Sequence, residues 1–164
     1  MTTPFRNHEQ PGHFQLLRPV TGDEILAMAK QLIKRKFTRG KSLTSPHAAR
    51  DFLILELALL ENEVFYCLFL DNQHRVLKAE CCFQGTIDGA NVYPREVVKR
   101  ALQINANALI LAHNHPSGLA EPSEADRAIT RRLIDALNLV DIRVLDHFII
   151  GGVEHFSFAE QGLL

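Results

Sequence analysis

The spacing of apolar positions changes several times along the chain, and each change marks an element. Ile25, Leu26, Ala29, Leu32, Ile33 and Phe37 recur at helical spacing behind Thr21-Gly22-Asp23-Glu24, a capping-box start. They predict an amphipathic helix that ends near Gly40. Ser45-Pro46 caps and opens a second helix, with Phe52, Leu55, Leu59 and Leu60 as its buried stripe. Glu63 to Leu70 is apolar on both faces and predicts a central strand, turned at Asp71-Asn72-Gln73 into a hairpin partner over Arg75 to Gln84. Gly85-Thr86-Ile87-Asp88-Gly89 breaks the run. Pro94 then opens a helix to about Asn105, buried through Val97, Val98, Ala101 and Leu102. Ala108 to Ala112 is short, apolar and abruptly bounded, which reads as a buried strand. Helical spacing returns with Ala125, Ile129, Leu133, Ala136 and Leu137, and two further strands follow over Ile142 to Ile150 and Glu154 to Phe158. Helices and strands in this order, with a hairpin among them, predict an α/β (α+β) architecture: a mixed β-sheet sandwiched by helices.

Residues 1–20 mix prolines, Gly12, Asn7 and Gln10 without any period and predict a flexible N-terminal tail, on which His8 and His13 carry no function. Residues 21–43 form the basic amphipathic helix and a linker. Its polar face gathers Lys30, Lys34, Arg35, Lys36, Arg39 and Lys41 in a chain whose net charge is only −1. A solvated face is the ordinary meaning of such a run; a weak nucleic-acid contact through the Lys30–Lys41 helix is the other. With 164 residues, 46% of them hydrophobic, the chain can bury one real core. No apolar run is long enough to span a bilayer and the N-terminus lacks a signal-peptide core, so no membrane association and a cytoplasmic location are expected. Cys67, Cys81 and Cys82 are odd in number and lack C-x-x-C spacing, as reduced core or strand residues do.

The chemistry concentrates after the Ala108 to Ala112 strand, in His113-Asn114-His115-Pro116-Ser117-Gly118 and the following Ser123-Glu124-Ala125-Asp126. Residues two apart on a strand share a face, so His113 and His115 aim to one side, as the first two ligands of a metal ion must. Pro116 and Ser117-Gly118 end the strand there. Asp126 falls in the first turn of the next helix, where the helix dipole keeps a carboxylate ionised. His113, His115, Asp126 and one water would make a four-coordinate zinc site of the open, catalytic kind, one Zn2+ per chain. Its bound water would have a pKa lowered to about 7. Ser123 and Asp126 also read as an approximate capping box. Asp146-His147, a polar pair in an apolar strand, must find partners, either as a brace behind the ligands or as a satisfied core pair.

His113-x-His115, a seven-residue spacer and Ser123-x-x-Asp126 resemble the JAMM motif of the JAB/MPN metallohydrolases, which include zinc isopeptidases acting on ubiquitin-like chains. Tyr93-Pro94-Arg95-Glu96-Val97-Val98-Lys99-Arg100-Ala101-Leu102, Ala112 to Gly118, Val144-Leu145-Asp146-His147 and Ser157-Phe158-Ala159-Glu160 resemble the RadC branch of that superfamily, with residues 44–164 as the JAB/MPN metallohydrolase domain. The resemblance is to the short stand-alone RadC form, so a chain lacking the N-terminal helix-hairpin-helix domain of full-length RadC proteins is expected. The resemblance implies a cytidine-deaminase-like fold and a zinc-dependent metallopeptidase or isopeptidase acting through a zinc-bound hydroxide on a peptide or protein substrate. By placement at the start of an early core strand, Glu63 would be the general base and acid, with Glu61 and Glu80 as the alternatives. Ser123 would stabilise the oxyanion by hydrogen bonding. Arg95 and Glu96 are expected to be exposed or structural. The other function class is a DNA-associated accessory module, for repair or for a mobile element, with a vestigial or structural metal site; the family's DNA-repair label is an association only.

Overall fold

The computed structural model describes residues 4–36, 46–85 and 91–164, and the chain divides into two compact units, one ending at Arg35 and the other beginning at Lys36. The predicted end of the first helix near Gly40, the Ser45 cap and the break over 86–89 lie outside the described residues.

In the first unit the expectation of an unordered tail is corrected. Strands β1 (Phe5–Asn7) and β2 (Phe14–Leu16) pair antiparallel, Phe5 opposite Leu16 and Asn7 opposite Phe14. The Pro and Gly residues that read as disorder make the turn: Gly12 has φ +80°, and the His8 N–H donates to the His13 carbonyl at 2.9 Å. Helix α1 (Gly22–Lys36) starts as the capping box predicts. The Glu24 N–H donates to Thr21 Oγ1 at 3.3 Å, and the Thr21 N–H returns a bond to Glu24 Oε2 at 3.0 Å.

The second unit holds α2 (Pro46–Leu57), β3 (Val64–Leu70), β4 (Val76–Gln84), α3 (Pro94–Ile104), β5 (Ala108–Asn114), α4 (Glu124–Asn138), β6 (Arg143–Gly151) and β7 (Glu154–Ser157). The five strands form one mixed sheet in the order β4-β3-β5-β6-β7. Only β5 and β6 are parallel, as the intervening α4 requires; β3 and β4 are the predicted hairpin. Alternation sorts the side chains into two layers. Phe65, Cys67 and Phe69 of β3 join Leu109 and Leu111 of β5, Val97 and Ala101 of α3, and Leu133 and Leu137 of α4 in one core. On the other face α2 packs on β5 and β6, and Phe52 meets Tyr66 with ring centroids 6.3 Å apart. Helices on both faces of a mixed sheet are the architecture the sequence predicts.

Two stripes differ from expectation. Helix α2 stops at Leu57, so its buried residues are Ala49, Phe52, Leu53 and Leu57, while Leu59 (71% exposed) and Leu60 fall in the turn beyond it. On α3, Val97 and Ala101 are buried but Leu102 is half exposed, because it sits one residue round the helix from the core-facing Ala101. Strand β5 also runs further than the apolar run: His113 and Asn114 complete it, and both are buried.

Candidate metal centre

The site forms where β5 ends and α4 begins. His113 continues the Leu109-Leu111 side of β5, so its ring faces α4 and stacks on Phe65 with centroids 6.2 Å apart and planes 10° from parallel. His115 follows the last strand residue, with its N–H on the Ile150 carbonyl at 2.8 Å. The chain then turns through Gly118 (φ +85°) and reaches α4, whose N-cap is Ser123. Gly151, at the end of β6, admits this turn. A Cβ there would lie 2.6 Å from the Gly118 carbonyl oxygen and 2.6 Å from the Ala120 nitrogen.

His113, His115 and Asp126 converge, each with a ligand atom within 4.8 Å of the others, and together could hold a metal ion. His113 Nε2 and His115 Nε2 are 3.0 Å apart; Asp126 Oδ1 is 3.1 Å from His113 Nε2 and Oδ2 is 3.4 Å from His115 Nε2. Four-coordinate zinc with bonds of about 2.0 to 2.1 Å needs donors about 3.3 Å apart, so these separations fit.

The hydrogen bonds behind the ligands decide which atoms carry protons. The Thr130 hydroxyl donates to the Asp126 carbonyl at 2.6 Å, because a carbonyl can only accept. Its oxygen, 2.7 Å from His147 Nδ1, must therefore accept from that nitrogen. His147 is fully buried between Phe65 and Phe158, and burial pushes its pKa well below the ordinary value, so the ring is neutral and Nε2 bears a lone pair. That lone pair accepts from His113 Nδ1 at 2.8 Å, so the neutral His113 ring presents a lone pair on Nε2. His115 Nδ1 donates to the Leu119 carbonyl at 2.8 Å, so its neutral ring likewise presents a lone pair on Nε2. Two lone pairs and a carboxylate thus face one point, an arrangement that repels itself unless a cation lies between them. This donor set fits a metal ion, with a proton as its competitor.

Electrostatics around the cluster agree. The hydrogen bond with Asp126 raises the His115 pKa, as do the Leu119 carbonyl and the charge of Glu63, against burial. Burial pushes the Asp126 carboxyl up, but the His113 and His115 rings, which hydrogen-bond to it when the competing proton takes the place of a cation, and the Ser123 hydroxyl outweigh burial and hold the group well below the usual carboxylate range.

Ser123 caps α4 reciprocally: its Oγ accepts from the Asp126 N–H at 3.1 Å while its N–H and hydroxyl donate to Asp126 Oδ2 at 2.7 and 2.6 Å. In this arrangement the hydroxyl proton is committed to the carboxylate. Glu63 is half-buried and immediately precedes β3, and its charge acts on His115. Glu80 is held instead by Arg100 and by Lys78 at 2.7 Å, and its pKa is lowered, first by Arg100. Glu61 lies exposed in the turn before Glu63, and Arg95 and Glu96 are exposed on α3. The Asp146-His147 pair divides. His147 braces His113, whereas Asp146 takes hydrogen bonds from the His147 and Ala159 N–H groups and from Ser157 Oγ, anchoring the C-terminal turn. Thr130 and Asn114 escape the sequence reading. A threonine four residues after a candidate ligand on a helix, and an amide inside an apolar strand, are the signals that point to them.

A JAB fold with a His-His-Asp cluster at a strand-to-helix junction defines the class, and the chain belongs to the RadC-like JAB domain family, whose model matches residues 43–163. Similar proteins are a UPF0758 protein of Vibrio campbellii, 62% identical over 138 residues, and a UPF0758 protein of Azotobacter vinelandii, 59% identical over 140 residues. The matches cover 84% and 85% of this chain and 62% of each relative, so the chain spans less than two thirds of their length. No helix among the described residues is long and apolar enough to cross a membrane.

Proposed function

We propose that the chain is a zinc-dependent hydrolase of the JAMM type that cleaves a peptide or isopeptide bond. The observation that carries this reading is the convergence of the His113 and His115 Nε2 atoms with the Asp126 carboxylate, with the Glu63 charge acting on His115. Zinc suits one carboxylate and two neutral imidazoles with a position left open, and when bound supplies the Lewis acidity that makes water a nucleophile near neutral pH. His113, His115 and Asp126 would hold the ion. Glu63 takes the proton of the attacking water on its carboxylate and returns it to the leaving amine. The Ser123 hydroxyl turns from Asp126 Oδ2 to the carbonyl oxygen as negative charge grows there, the N–H bond to Asp126 being retained.

Two substitutions test the division between ligand and shuttle. Glu63→Gln should keep about one zinc per chain while hydrolysis of a peptide surrogate falls by roughly two to four orders of magnitude. Asp126→Asn should lose zinc and activity together. Wild-type turnover in Glu63→Gln removes Glu63 from the mechanism.

A further inference from the structure

The residue between the two histidines faces away from the metal centre. Asn114 ends β5 with its side chain on the α2 side of the sheet, 2% exposed, where an amide must satisfy both of its N–H groups and its oxygen. It does so wholly on the main chain of one short segment. Oδ1 accepts from the Val64 N–H at 2.8 Å; Nδ2 donates to the Leu60 carbonyl at 3.3 Å and to the Asn62 carbonyl at 3.1 Å. The β3–β5 ladder ends at the Phe65–His113 pair, so the Asn114 side chain supplies the rung that the backbone does not. Glu63 lies between the two inner contacts. The carbonyl before it and the N–H after it are bound to a single planar amide, and its own carbonyl accepts from the Gly85 N–H at 2.8 Å.

We propose that Asn114 is a positioning residue: its amide brackets Glu63 and sets that carboxylate against the histidines flanking Asn114 in sequence. The inference rests on the reading of Glu63 as the proton shuttle. Rigid coupling follows from the strand itself, since one tripeptide fixes two ligands on one face and the base-bearing turn on the other. An apolar residue here would leave the N–H of the buried Val64 without a partner and the Leu60 and Asn62 carbonyls without the donor that joins them.

The test uses the full chain as purified. In Asn114→Ala the Val64 amide should exchange with solvent faster by on the order of tenfold, with Leu68 and Leu111 unchanged and zinc content as in wild type. Turnover of a peptide surrogate should fall on the order of tenfold or more in kcat with KM unchanged, and the substitution should cost nothing further in a Glu63→Gln background. Should Asn114→Ala not fold, Asn114→Asp keeps the acceptor for Val64 and loses both donors, so Val64 stays protected while kcat still falls. Unaltered Val64 exchange in Asn114→Ala, wild-type kcat in Asn114→Asp, or an equal loss in both Glu63 backgrounds overturns the proposal. Wild-type turnover in Glu63→Gln overturns the shuttle reading alone, and amide exchange then still reports whether the bracket exists.

Discussion

His113 and His115 offer the same atom to the same point, yet they stand in different kinds of structure. His113 is 2% exposed, stacked on Phe65 and tied through His147 and Thr130 to the main chain of α4. His115, partly exposed, is tied to a carbonyl on the turn between β5 and α4. The inner ligand is held by side chains in a dry core and the outer one by a loop. A metal site built this way has one fixed wall and one that can yield, and the fixed wall bears the larger share of the fold's stability.

The largest effect expected is from removing either ligand, and it separates the two. His113→Ala and His115→Ala should both purify without zinc. In chelator, His113→Ala should also lose about 2 to 4 kcal/mol of stability by chemical denaturation, because it opens a core cavity and orphans His147 Nε2. His115→Ala should lose less than about 1 kcal/mol. Equal losses would show that the inner wall is no firmer than the outer.

Next is the brace itself. His147→Gln should weaken zinc binding about 10- to 100-fold in competition with a chromophoric chelator. It should also change how the metal-free protein responds to acid. Burial holds the folded pKa of His147 below its unfolded value, so below about pH 6.5 the unfolded chain takes up a proton that the native state refuses. Stability should fall with decreasing pH by up to about 1.4 kcal/mol per unit in this range. His115 works in the opposite direction and at higher pH: its raised pKa favours the native state below the unfolded value and loses that contribution as pH rises through the folded one. A metal-free wild type as stable at pH 5.5 as at 6.5 would contradict the neutral, buried His147.

The smallest effect tests the outer wall. Gly151→Ala introduces a Cβ against backbone atoms of Gly118 and Ala120 and must displace the turn that carries the Leu119 carbonyl. Zinc affinity should weaken by about tenfold, with a stability loss of about 1 to 3 kcal/mol. Gly151 has no positive φ, so a wild-type affinity would mean that the turn moves without disturbing His115.

The convergence of His113, His115 and Asp126 was legible in the sequence because it is local: a strand's alternation places the two histidines, and a helix start places the aspartate. The β3–β4 hairpin was legible for the same reason. What supports the ligands was less so. Thr130 looks like an ordinary helix residue until its i−4 carbonyl and His147 are seen together, and Asn114 bonds a segment 50 and more positions away. The hairpin at Phe5–Asn7 and Phe14–Leu16 was hidden because its strands are three residues each, too short for alternation to show.

His113, His115 and Asp126, with Thr130 and His147 behind them, come from the single stretch β5–α4–β6, whereas Glu63 comes from the turn before β3. Inheritance can therefore act on the two separately. A chain that lost the carboxylate would keep an intact cation receptacle. The His-x-His pair therefore speaks to the capacity for an ion, and under the proposed mechanism turnover hangs on the residue preceding β3.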